Sequence, residues 1–459
     1  MLTANLAAKL QGVLGANRVT TAEHSLLSFA VDGISPAAVI QPASAGEVAE
    51  VVHFAASEKL AIITCGSRSK LELGMPPARY DIALDMSGLC RIAHYDPGDL
   101  TLSVDASMPL RQLEQALAEK QQFLPLAVPC FETSTVGGAV ASGIDSVLRQ
   151  QYGTARDFLI GAEFVDGTGK ICKSGGRVVK NVTGYDLHKL LIGSLGTLCV
   201  VTRLNFRTFP LAQVSGGQLT SFAGIQDALA FRRLLEAAGL PLSNLEVLSP
   251  GIAAILAAIL RSAKSGVPQG LEQGRWCAYA SYEGNAAVVE RISLELEKLA
   301  RQTNAIGCEP LDKSTDESLG GMLREAFEWL RFASPAVLLL RLTLPEFSAE
   351  VSAGLSDILK ANSLRGAFLL RARGVVYFLA RDDSEEGAAL DRLGKTARDI
   401  IRMVAEKHGH AILLHAPLGL KSRASIWVGN DENLGLMRRV KQAFDPQGLF
   451  APGRFPGGL

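Results

Sequence analysis

Residues 178–206 read VVKNVTGYDLHKLLIGSLGTLCVVTRLNF. A glycine-rich turn, Gly193-Ser-Leu-Gly-Thr197, stands between an apolar run with helical spacing and a β-branched stretch that predicts a strand. Glycine carries no Cβ, so backbone in such a turn can lie close against a large planar or phosphorylated ligand. Lys180, Asn181, Gly184, Tyr185 and Asp186 stand just upstream. The turn reads as a cofactor seat, with Gly193, Gly196 and Val200 of the following strand as its candidate contacts.

Two further small-residue segments lie on the N-terminal side. Ala38–Pro42 predicts a strand, Ser44 and Glu47 form a capping-box pattern opening a helix, and Leu60–Thr64 predicts a second strand. That β-α-β unit ends in Cys65-Gly66-Ser67-Arg68-Ser69-Lys70, at the strand end where α/β sheets bind ligands. The amides of Gly66 to Ser69 suit an anion-binding nest, with Arg68 or Lys70 adding charge at its rim. Strands are expected at Asp81–Asp85 and Leu100–Val104, a helix at Pro109–Glu119, and a hairpin over 161–173 turning at Asp166-Gly167. Between them Pro125–Gly143 reads as a long loop holding Pro129, Thr135-Val136-Gly137-Gly138 and Ser142-Gly143, and loops of that length inside a domain tend to be functional. None of the three segments follows the G-x-G-x-x-G pattern, which speaks against a Rossmann dinucleotide domain.

Beyond Pro210 the texture changes to helices over 225–238, 286–301 and 386–407, alternating with strand-like runs Trp276–Tyr282, Ala336–Leu344 and Ala367–Ala380. This alternation predicts a separate α+β domain. A helix at Leu434–Phe444 and a Pro/Gly-rich tail, Asp445–Arg454, close the chain. The expected organisation is therefore α+β, with a first domain over 1–210 (subdomains about 36–106 and 107–210), a second over 211–430, and a tail, 431–459, returning to the first.

The bulk composition narrows the function. Lys plus Arg and Asp plus Glu both number 46 in 459 residues, so no basic field gathers nucleic acid or anionic lipid. Seven scattered cysteines contain no C-x-x-C pair, so an iron–sulfur cluster in this chain is not expected. The longest apolar run, Ile252–Leu260, falls far short of the ~20 residues of a membrane-spanning helix. Leu2, Leu6, Leu10 and Leu14 have helical spacing without a basic n-region, which reads as an amphipathic helix of a cytoplasmic chain.

Taken together, the three small-residue segments, Tyr152-Gly-Thr-Ala-Arg-Asp157 and the D-P…P-G-R tail resemble the vanillyl-alcohol-oxidase-like (PCMH-type) FAD-linked oxidases. The resemblance covers roughly 36–210 and 434–455. Within that superfamily Cys65–Gly74, Tyr95-Asp-Pro97, Lys180–Leu187 and Arg341–Pro345 are similar to the FAD-binding subunits of glycolate dehydrogenases (glycolate oxidases) of the GlcE type. The resemblance implies a PCMH-type FAD domain of two α/β subdomains with a cap domain. It also implies FAD, and oxidation of a small 2-hydroxy acid beside a second flavin subunit (GlcD-like) and an iron–sulfur subunit (GlcF-like), through which membrane association would come.

The chain also departs from that pattern. Leu195 replaces the acidic residue common in the second turn, Ser67 and Arg68 stand where many relatives have glycine, and the first turn has no histidine, so FAD is expected to bind non-covalently. The H-x-G-D-G-N-like motif of hydroxy-acid oxidases is missing. His408 and His410 would share a face if they lay on one strand, but no carboxylate set accompanies them; the default reading is a helix terminus followed by a buried strand, and no metal is expected. The candidate catalytic residues are Arg341, as a bidentate carboxylate holder on an apolar strand, with Tyr185 and His410.

Overall fold

The computed structural model describes residues 2–177, 184–326, 328, 336–382, 384, 386–421 and 431–459. Backbone contacts divide the chain into two compact units: Met1–Asp145 with Thr154–Leu211 and Asn430–Leu459, and Ser146–Gly153 with Ala212–Gly429.

The first unit begins with the β-α-β element. Strands Ala38–Ile40, Ile82–Asp85 and Ile62–Cys65 lie side by side in parallel, with Val19–Thr20 antiparallel at the edge. The connecting helix, Ala45–Glu58, is started by Ser44, whose Oγ accepts from Glu47 N at 3.1 Å, while Glu47 Oε2 accepts from Ala43 N at 2.7 Å. Its Val48, Val51, Val52 and Ala55 are fully buried, at the i, i+3, i+4, i+7 spacing of a core-facing stripe. Each buried valine is worth about 1.5–3 kcal/mol.

An antiparallel five-stranded sheet follows, in the order Ile92–Asp96, Thr101–Asp105, Val200–Arg207, Leu159–Val165, Ile171–Gly175. Leu102, Val104, Ala162, Phe164, Leu204 and Phe206 point from one face into a core shared with helix Leu110–Ala118. The C-terminal tail then pairs beside Ile62–Cys65: Ile62 N donates to Leu449 O and Ala451 N to Ile62 O, both at 2.8 Å. It is pinned there by Lys441, whose Nζ donates to Thr197 O (2.6 Å), Asp445 Oδ2 (2.6 Å) and Phe450 O (2.9 Å), which uses all three ammonium protons.

The second unit is built on one eight-stranded antiparallel sheet. Its order is Gly307–Leu311, Val214–Phe222, Trp276–Gly284, Leu242–Leu248, Arg365–Ala372, Val375–Asp382, Ala336–Thr343, His410–His415. Helices Ile225–Ala238, Pro250–Ser262, Ala286–Arg301, Lys313–Arg324, Ala349–Ala361 and Glu386–Glu406 alternate with these strands along the chain. Two buried polar pairs interrupt the apolar packing: Arg371 Nε to Glu246 Oε1 at 2.8 Å, and Tyr279 Oη donating to Asp316 Oδ1 at 2.7 Å.

Three readings of the sequence need correction. The segment 125–143 is not all loop: Val136–Ser142 is a helix, capped by Thr135 Oγ1 accepting from Gly138 N at 3.2 Å. Its glycines, poor helix formers, hid it. The run 367–380 is two strands joined at Arg373-Gly374, where Gly374 takes a left-handed backbone (φ 73°) that glycine adopts at little cost. The apolar run before Gly193 makes only a short 3₁₀ turn, Leu187–Leu190. The stretch 406–415 follows its default reading, a helix terminus followed by a strand: His408 lies just past the helix at φ 58° and the strand begins at His410, so the two imidazoles do not share a strand face.

Candidate functional site

The three small-residue segments, far apart in sequence, come together around one cleft in the first unit. Its lining includes Thr64, Gly66–Leu71, Ala106, Ser107, Thr135, Gly137, Gly138, Ala141, Ser142, Ser194–Gly196, Cys199, Val201 and Arg454, and it encloses about 870 Å³, open solvent included.

Close backbone packing holds the segments in place. Gly137 N donates to Ala106 O at 2.7 Å and Val136 N to Met108 O at 2.9 Å, which docks the short helix on the end of strand Thr101–Asp105. A Cβ on Gly137 would stand 2.8 Å from Ala106 O, so only glycine fits. On the other side Gly193 N donates to Val140 O and Leu195 N to Ala141 O, both at 2.9 Å, and a Cβ on Gly143 would meet Gly193 Cα at 2.7 Å. Gly137→Ala is expected to push the helix off its strand, at a cost of about 1–3 kcal/mol. A thermal melt and a flavin titration check it, the latter expected to show affinity down at least ~10-fold.

The electrostatics of the cleft favour an anion. Its described lining carries three cations, Arg68, Lys70 and Arg454, and no carboxylate. Arg68 takes a left-handed backbone (φ 67°) where glycine is the cheap choice, and its guanidinium stacks 4.4 Å over the Phe29 ring. Lys70 Nζ donates to Ser134 Oγ. The thiols here are inert: burial pushes Cys65 up to about 12 and Cys199 well above the ordinary thiol value.

Of the predicted cofactor residues, Gly66, Ser67, Arg68, Ser69, Lys70, Thr135, Gly137, Gly138, Ser142 and Gly196 line the cleft. Cys65, Pro129, Val136, Gly143, Gly193 and Val200 lie behind its wall. Cys65 Sγ faces Tyr80 Oη at 3.8 Å, Pro129 O accepts from Ser134 Oγ, and Val136 and Val200 are wholly in the core, because side chains alternate along a strand and follow one face of a helix. Tyr185 is 90% exposed and does not line the cleft; Lys180 and Asn181 lie outside the described residues. Thr64, Ala106, Ser107 and Arg454 line the cleft without having been predicted as cofactor contacts. The strand-end positions of Thr64 and Ala106 were the available signal for two of them.

Arg341 and His410 belong to the second unit. Arg341 pairs with Tyr377 on one side and Ile412 on the other, while Thr343 pairs with His410. Arg341 and His410 are therefore diagonal neighbours on one sheet face. Arg341 is half-buried and His410 exposed.

Residues 36–175 match the FAD binding domain family, and residues 370–455 match the C-terminal domain of FAD linked oxidases. The chain is an FAD-linked oxidoreductase, and FAD is its cofactor. More particularly, it is 36% identical over 197 residues to the glycolate oxidase subunit GlcE of Escherichia coli strain K12, a match covering 43% of this chain and 55% of that protein. It is 24% identical to the glycolate oxidase subunit GlcD of Bacillus subtilis strain 168, covering 99% of this chain and 97% of that one. The solved structure of p-cresol methylhydroxylase with substrate bound has the same fold, with a TM-score of 0.79 at 17% identity over 99% of this chain and 97% of its own.

The cleft fits this cofactor on its own evidence. Glycine lets backbone approach from three sides, the lining itself holds three cations and no carboxylate, and two buried polar atoms in its wall, Thr64 Oγ1 and Arg454 Nη1, have no hydrogen-bond partner among the described residues. Among the described residues no three His, Cys, Asp or Glu side chains gather as a metal site, and no helix is long and apolar enough to cross a membrane.

Proposed function

We propose that this chain is the FAD-binding subunit of a glycolate dehydrogenase complex and oxidises a small 2-hydroxy acid to its 2-oxo acid. The observation that carries the reading is the cleft itself, three glycine-rich segments and three cations around one space, taken with the likeness to two glycolate oxidase subunits. Bound FAD supplies the two-electron acceptor for the hydride at C2. In this reading Arg341 holds the substrate carboxylate through a two-point guanidinium contact, and an imidazole nitrogen of His410 takes the hydroxyl proton. With no cysteine cluster to carry single electrons, the chain passes them to an iron–sulfur partner beside a second flavin subunit.

Arg341→Met is expected to lower kcat/KM for glycolate about 10²–10³-fold, with FAD content unchanged, since a charged two-point contact is lost. Isolating the tagged chain from its host tests the complex: a second flavin subunit and a cluster-bearing subunit should come with it. Full turnover by the chain alone would contradict the subunit reading. It would favour a stand-alone 2-hydroxy-acid dehydrogenase such as one for D-lactate, a reading supported by the likeness to the D-lactate dehydrogenase of Anaerostipes hadrus, 24% identical over 91% of this chain.

A further inference from the structure

Thr64 Oγ1 and Arg454 Nη1 are buried in the wall of the cleft without a hydrogen-bond partner among the described residues. Arg454 is 3% exposed, and its Nη2 donates to the carbonyls of Leu71 and Leu73, which sets the guanidinium against the chain leaving the turn Cys65–Lys70. The tail that carries it is fixed as well: Met75 N donates to Arg454 O at 3.1 Å, and Ala78 N to Pro452 O at 2.8 Å. The guanidinium therefore cannot swing out to water. Burial lowers its pKa from the ordinary value, offset in part by the Asp32 carboxylate. A buried donor left unpaired is destabilising, and a charged one more so, unless a ligand oxygen meets it.

We infer that Thr64 and Arg454 are cofactor-binding residues whose Oγ1–H and Nη1–H donate to an anionic part of FAD. The inference rests on FAD as the cofactor and not on the identity of the substrate. Two regions of FAD offer the required oxygens: the diphosphate, and the N1–C2 carbonyl edge of the flavin ring, which gains negative charge on reduction. Arg454 also makes FAD binding and tail docking one event, since the same guanidinium ties Leu71 and Leu73 to the tail.

The test uses the full chain stripped of FAD, as parent, Thr64→Val and Arg454→Gln, titrated with FAD and separately with ADP, with a thermal melt of each apo-protein. Thr64→Val should melt no lower than the parent, because it replaces an unpaired buried hydroxyl by a methyl of the same shape, and should still lose about 5–10-fold in FAD affinity. Arg454→Gln should lose about 10–100-fold. A parallel loss for ADP assigns the contact to the diphosphate. An unchanged ADP affinity, with a more negative flavin midpoint potential, assigns it to the ring. If Arg454→Gln fails to fold, Thr64→Val decides: FAD affinity within twofold of the parent overturns the inference.

Discussion

Replacing Lys441 by methionine is expected to lower the stability of the first unit by about 3–5 kcal/mol, the cost of breaking a buried ion pair by removing one partner. Asp445, 1% exposed, would keep its bonds from Leu449 N and Phe450 N but lose the Lys441 ammonium paired with it, and Thr197 O and Phe450 O would lose their donor. Lys441 joins the second glycine turn to the tail, so the damage falls on the cleft: Thr197 closes the turn that presents Ser194 to Gly196, and the tail presents Arg454. The expected result is a lowered melting midpoint together with weakened FAD retention, both partly restored by excess FAD, because a ligand that binds only the folded state stabilises it by mass action. A melt with and without added FAD checks this, and equal midpoints for the variant and its parent would contradict it.

The second large effect lies in the other unit. Glu246→Ala leaves Arg371, fully buried, without its carboxylate, and about 3–5 kcal/mol of stability should go with it. That is a large share of the 5–15 kcal/mol that holds a typical domain. Burial pushes the Glu246 carboxyl up from its ordinary value while the Arg371 guanidinium opposes the shift, so the pair is held together chiefly by geometry: Nε at 2.8 Å from Oε1, Nη2 at 2.9 Å from Leu323 O, and the Tyr377 ring 5.0 Å from the guanidinium carbon. The double variant Glu246→Leu with Arg371→Met should recover most of the loss, since replacing both partners by apolar groups removes the unpaired charge. Denaturant titrations of the two singles and the double give the coupling directly. Tyr377 pairs across the strand from Arg341, so the single variant should also raise KM for the acid substrate.

The first unit was largely legible because its signals are local. Ser44 with Glu47 announces a helix start, β-branched runs announce strands, and small residues at a strand end announce a ligand turn. What stayed hidden depends on contacts between distant residues. Val136–Ser142 has too much glycine to declare itself a helix, and it is held by the carbonyls of Ala106 and Met108, about thirty residues away. Arg454 stood out as part of a tail motif, but nothing local says that its guanidinium returns to Leu71 and Leu73. In the second unit the strands Val214–Phe222 and Leu242–Leu248 carry polar residues such as Gln218, Thr220, Asn244 and Glu246 that are buried only because the eight-stranded sheet is covered, so their periodicity was weak. Arg371, in the interior of an apolar run, gave no sign of its partner 125 residues earlier.

The account turns on whether this protein holds FAD and reduces it with a 2-hydroxy acid. The most direct measurement is the visible spectrum of the purified protein, recorded anaerobically before and after adding glycolate or D-lactate. The account predicts a bound, non-covalent flavin whose absorption bleaches with one of the two acids. A protein that takes up no FAD, or a bound flavin that stays oxidised under both acids, would contradict it.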